Sequence, residues 1–201
     1  MISRIYNSFF LFFFLFSFLF FSSSCFIDNT KFIGTVSKAY KPLPSFNLID
    51  QNNNNINDQS ILPDNLLIVF LYSNCKTECP VALNDINSIK DIIDTNSDKL
   101  AVIVFSIDPN ESIENVNTVL TKYKLNSSIT YLTGNKDELK DIWQYFYVPV
   151  GRVETKQSDL NLIIHTIPAY IISRDNETTL IYTEFNIDSI RTDLNKLLKL
   201  N

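Results

Sequence analysis

Seven apolar residues in a row, Leu66 to Tyr72, run into two cysteines four positions apart, Cys75 and Cys79, with Pro80 directly behind them. The run is too short and too rich in β-formers for an ordinary helix, and it lacks the alternation of a half-exposed strand. It therefore reads as a strand buried on both faces. Pro80 then opens a helix: proline suits the first helical position because the N–H it lacks would find no intrahelical partner there. That places Cys79 near the N-cap and Cys75 in the preceding loop. Both sulfurs are thereby expected at the carboxyl end of a core strand, where open α/β folds place their chemistry. The positive end of a helix at that point favours thiolate over thiol.

Upstream, Ile5 to Ile27 carries no charged residue, and Phe9 to Phe21 is almost wholly Phe and Leu, following Arg4. Residues 1–27 read as a targeting or anchoring segment. Three serines precede Cys25, as in a bacterial lipoprotein signal, although Ser22 stands where that signal usually has an aliphatic residue. An uncleaved membrane anchor, a lipidated Cys25 and a cleaved leader all stay open, and each puts the domain outside the cytoplasm. The first residues lack the Arg-rich amphipathic pattern of a transit peptide, which favours a bacterial-type cell surface. Residues 28–45, with Pro42 and Pro44, read as a tether, and residues 46–201 as the folded domain.

Within that domain the periodicity alternates. Phe46 to Asp50 is a short strand, followed by a surface turn in the Asn-rich stretch. After Pro80, the stripe Leu83, Ile86, Ile89 and Ile93 marks a helix. Lys99 to Ile107 is a second buried strand, stopped by Asp108 and Pro109. A stripe of Ile113, Val116, Leu120 and Tyr123 predicts the next helix, Ile129 to Leu132 a third strand, and Leu139, Ile142, Trp143 and Phe146 another helix. The βαβαβ order predicts parallel pairing with right-handed crossovers. Leu160 to Ile172 and Thr179 to Thr183, joined by the short turn RDNE, predict an antiparallel hairpin. Ile190, Leu194, Leu197 and Leu198 predict a closing helix. This is the order of a thioredoxin-like α/β fold, a central mixed sheet flanked by helices.

The formal net charge is −5, with no dense Lys/Arg run, which argues against nucleic acid and against an electrostatic grip on anionic lipid. The chain has a single histidine, His165, and three cysteines. With Cys25 assigned to the N-terminal segment, the site chemistry reduces to Cys75, Cys79 and His165. Two soft sulfurs and an imidazole fit a soft, low-coordinate ion, for which Cu(I) is the best match. Structural zinc normally takes four protein ligands, whereas a catalytic Cys₂His zinc with water stays open. So does thiol–disulfide exchange by the Cys75/Cys79 pair, and so does a purely structural disulfide. A peroxidase fits poorly, because no further polar cluster surrounds a candidate peroxidatic cysteine. A histidine in LNLIIHTIPAY is more often a satisfied core residue than a ligand. In a thioredoxin-like sheet, however, this segment lies beside the loop after the first core strand, and Ile167–Pro168 stands where thioredoxins carry a cis-proline.

Four blocks, FLYSNCKTECP, VIVFSIDP, YLTG and IIHTIPAYIIS, resemble in order and spacing the SCO/SenC family, from about Phe46 to the C-terminus. Members of that family are copper-binding thioredoxin-fold proteins that help assemble the dinuclear copper centre of cytochrome c oxidase. The resemblance implies Cys75, Cys79 and His165 as copper ligands, a copper-accepting subunit of cytochrome c oxidase as partner, and an acidic position near the site at Asp108. The chain departs from the family pattern at Ser112 and Ile164, where aspartates are common, and at Pro168, whose presence tilts the reading toward a thioredoxin-type redox role. Three functions follow as expectations. They are a membrane-tethered copper chaperone, a thiol–disulfide oxidoreductase that uses Cys75 and Cys79 to keep the acceptor's cysteines reduced, and a non-catalytic module with a structural disulfide.

Overall fold

The computed structural model of the chain describes residues 31–154, 161–164 and 167–199. The N-terminal segment with Cys25, and His165, lie outside the described residues. Among the described residues no helix is long and apolar enough to cross a membrane.

The apolar run becomes the centre of the main sheet, whose order is β1 (Thr35–Val36), β10 (Thr178–Tyr182), β9 (Ala169–Ser173), β4 (Asn65–Leu71), β5 (Leu100–Ser106) and β6 (Thr130–Leu132). Every residue of β4 is buried, as expected of a strand covered on both faces. β4, β5 and β6 run parallel, with Phe70 opposite Phe105. β9 runs antiparallel to β4, β10 to β9, and β1 to β10. Two ribbons pair separately, β2 (Asn47–Ile49) with β3 (Asn55–Asn57), bridged by Ile49 to Thr133 just after β6, and β7 (Gly151–Glu154) with β8 (Asn161–Ile164).

The helices are α1 (Glu78–Ser88), α2 (Lys90–Thr95), α3 (Ile113–Lys122), α4 (Lys136–Tyr145) and α5 (Ile187–Leu197). Their starts follow the sequence. Asn135 and Glu138 form a capping box on α4, while Ser112 and Asn186 cap α3 and α5 by accepting first-turn amides. One face of the sheet is aromatic. Phe70 lies 5.9 Å from Phe105 and 5.5 Å from Phe146, and Phe146 lies 4.9 Å from Tyr170, centroid to centroid. These rings place α4 against the sheet, and the Trp143 indole N–H donates to the Ser106 carbonyl at 2.9 Å.

Two expectations are corrected. The stretch expected as one strand, Leu160 to Ile172, is two: β8 pairs with β7, and β9 joins the main sheet. Pro168, without an N–H to give a ladder, stands just before β9. No cis peptide bond occurs among the described residues, Ile167–Pro168 included, a point the sequence left open. The helix expected through Ile93 is two helices meeting at Ile89, which keeps Ile89 and Ile93 in the core.

The stretch expected as a tether supplies β1. Behind it, the buried Asp193 carboxylate accepts the Gly34 N–H at 2.8 Å, the Ile33 N–H at 2.9 Å and the Tyr182 hydroxyl at 2.8 Å. Gly34 is required here, because a Cβ would stand 2.7 Å from a carbon of the Tyr182 ring.

Candidate functional site

β4 delivers the chain to the carboxyl edge of the sheet, where it turns: the Cys75 N–H donates to the Tyr72 carbonyl at 3.3 Å. α1 starts two residues earlier than expected, with Thr77 as N-cap and Pro80 third in the helix. Proline is tolerated there because first-turn N–H groups have no intrahelical acceptor. Cys79 is thus inside the first turn rather than at the cap.

The Thr77 hydroxyl makes no capping hydrogen bond. It lies 3.9 Å from Cys75 Sγ instead, and the Cys79 N–H donates to that same sulfur at 3.3 Å. Cys75 Sγ therefore takes up a first-turn amide that a capping oxygen would otherwise accept. Both cysteines are buried, Cys75 7 % and Cys79 1 % exposed. Exposure this low means that any partner reaches the sulfurs through an opening in the fold and not over a flat surface.

That opening is a cleft of about 380 Å³ between the cysteine loop and α3, lined in part by Tyr72, both cysteines, Leu83 and Val119.

The helix start does not act alone on Cys79. The neighbouring Cys75 sulfur pushes its thiol up, as do burial and, more weakly, the Glu111 carboxylate. The expectation that the helix end favours thiolate on both sulfurs is corrected for Cys79. The dipole effect is outweighed by a second sulfur and by loss of solvent. A soft cation beside the pair would reverse that balance, since metal binding replaces thiol protons.

Glu111 is a site residue that sequence reasoning missed. Its carboxylate accepts the Ser73 N–H at 2.9 Å, the Ser106 hydroxyl at 3.2 Å and the Tyr131 hydroxyl at 3.0 Å, and also the Ser73 hydroxyl. It thereby ties the start of the cysteine loop to the end of β5 and to the middle of β6. Burial pushes the Glu111 carboxyl up against these donors. Burial, and then the charge of Glu111, keep Tyr131 a phenol. A Ser two residues after β4 and a Glu three residues after Asp108 are the signals that were available. Asp108 itself accepts the Asn110 N–H at 3.0 Å, the bond of a turn that ends a strand.

His165 lies outside the described residues. The β9 ladder ends at Val69 opposite Ala169, so the chain enters β9 near the end of β4 that leads to the cysteines. Among the described residues no group of three or more His, Cys, Asp or Glu side chains forms a metal cluster.

A dithiol at the first strand-to-helix junction of a mixed α/β sheet with flanking helices defines a thioredoxin-like protein. The SCO1/SenC family model matches residues 35–199, and the chain belongs to that family. It is 31% identical over 133 residues to a SCO2-like protein of Rickettsia prowazekii, covering 65% of this chain and 63% of the relative. The chain thus spans a little under two thirds of that relative's length. Its fold is similar to that of Arabidopsis thaliana ScoI with copper bound, at TM-score 0.66 and 21% identity, over 79% of this chain and 98% of the other. It is similar also to Bradyrhizobium japonicum ScoI with copper bound, at TM-score 0.65 and 24% identity, with the same coverage.

Proposed function

We propose that the protein is an extracytoplasmic, membrane-tethered copper carrier that delivers Cu(I) to, or prepares the copper site of, cytochrome c oxidase. The observation that carries this reading is the adjacency of two nearly buried cysteine sulfurs that line one cleft. The donor set fits. Thiolate sulfurs select Cu(I), and two of them leave the ion open to a further ligand. Cys75 and Cys79 would hold the ion, and His165, four residues before Ala169, would be the third donor. Membership of the SCO1/SenC family and the likeness to two ScoI structures with copper bound support the choice of metal. Residues 1–27 would anchor the domain, through the apolar run or through a lipid on Cys25.

This chain's own residues do three things for such a cargo. The Cys79 amide orients Cys75 Sγ, Glu111 fixes Ser73 at the base of the loop, and the fold screens both sulfurs from bulk oxidants. Expression of the chain in a strain lacking its own SCO protein tests the proposal. Wild type is expected to restore cytochrome c oxidase activity and Cys75→Ser to leave it absent. Equal restoration by both would refute the reading.

A second reading is favoured by the same adjacency. A thiolate of the pair attacks an acceptor disulfide, and one acceptor sulfur leaves as a thiolate that takes up a proton. The second cysteine then closes the Cys75–Cys79 disulfide and releases the other acceptor thiol, so two electrons pass to the acceptor. On this reading His165→Ala leaves exchange rates intact while weakening copper. Parallel loss of both activities would rule out separate roles.

A further inference from the structure

The cleft beside the cysteines has a chemistry that metal holding alone does not require. Its walls are apolar, with Pro80 and Leu83 from α1 facing Val119 and Tyr123 from the α3 side. The charged residues that line it are both cations, Lys76 in the cysteine loop and Lys122 at the end of α3. Both are exposed, and the Lys122 ammonium stands 5.3 Å from the Tyr123 ring centroid, so it is held over the apolar wall. The nearest acids on the same helices, Glu78 and Glu114, do not line the cleft. On a chain of net charge −5 the two charged side chains that line this cleft are positive, while the Glu111 carboxylate bonds Ser73 without lining the cleft itself.

We infer that this cleft is the docking site for a short acidic segment of the protein that accepts the metal, its acidic side chains meeting Lys76 and Lys122 and an apolar side chain entering between Leu83 and Val119. The inference rests on the carrier reading for the partner being a protein. Charge complementarity argues for the occupant. The net charge of −5 disfavours an acidic segment at large, so the two lysines beside the thiols steer it to the sulfurs and reject basic competitors. Size agrees, because about 380 Å³ lies within the roughly 300–1,000 Å³ of clefts that hold small ligands, room for a side chain or two of a partner. Of the two cations, Lys76 is one residue from Cys75, so a segment bound there is already beside the thiol pair.

The test uses the full chain, reduced and metal-free, in detergent. Two fluorescein-labelled nonapeptides are compared by anisotropy, one with two glutamates flanking a leucine and the other with lysines in their place. The acidic peptide is expected to bind at least about fivefold tighter, and the Lys76→Glu/Lys122→Glu double variant to remove or invert that preference. The preference is expected to shrink as salt is raised, because both lysines are exposed. Equal binding of the two peptides, or a preference unmoved by the double variant, would overturn the inference. A Cu(I) titration of the same double variant separates the two claims. Affinity equal to wild type leaves the metal site intact whatever the peptides do. Failure of wild type to bind Cu(I) would remove the carrier reading and, with it, the metal-accepting partner, and so overturn the inference even where the acidic preference stands.

Discussion

Asp193 is fully buried and Glu111 half-buried, and the surroundings of these two carboxylates differ. Asp193 accepts two backbone amides and a phenol and pairs with Lys196 Nζ at 3.3 Å. Glu111 accepts one backbone amide and three hydroxyls, and its carboxyl is pushed up by burial. Asp193 fastens the segment before β1 to α5 and β10, far in sequence from the cysteines. Glu111 holds the loop that carries them. A buried acid with a cation and amides is a rivet, whereas one surrounded by hydroxyls keeps an unfavourable charge. The fold keeps that charge beside the two thiols, where a bound cation would be attracted by it.

The contrast can be broken from either end. Asp193→Ala removes the acceptor of three donors and strands them, so a loss of roughly 3–5 kcal/mol in urea unfolding is expected. A loss below about 1 kcal/mol would show that Asp193 is no rivet. Gly34→Ala is expected to cost about 1–3 kcal/mol, because the new Cβ meets the Tyr182 ring and that ring is tied to Asp193. Unchanged unfolding would mean that the ring moves freely.

Glu111→Gln has the smallest effect and a sign that depends on pH. A folded carboxyl raised above the ordinary 4.5 contributes stability that is full below that value and is lost as pH rises through the folded value. Melting temperatures of both proteins between about pH 4 and about pH 8 are therefore expected to shift in favour of the variant toward neutrality. A constant difference would contradict the contrast.

The core of this arrangement is legible in the sequence because its causes are local. β4 and β5 are covered on both faces, so they print as uninterrupted apolar runs, and Cys75, Cys79 and Pro80 print the junction that follows. β1 does not print. It is two residues long, both exposed, and the acid that holds the segment before it lies 159 positions beyond Gly34. Glu111 is illegible for the same reason, since its partners come from three separate segments.

Pro168 misled in another way. The apolar residues on either side of it continue one pattern, while its missing N–H marks a break that hydrophobicity does not register. The proton on Cys79 was misjudged because a helix end is visible in sequence, whereas a sulfur 3.3 Å from its amide is not.

The measurement closest to the central claim is an anaerobic Cu(I) titration of the reduced chain against a competing chelator, beside Cys75→Ser and His165→Ala. The account predicts one tightly held ion per chain, at least about a hundredfold weaker in Cys75→Ser and about tenfold or more weaker in His165→Ala. Weak binding by wild type that is indifferent to both changes would contradict it.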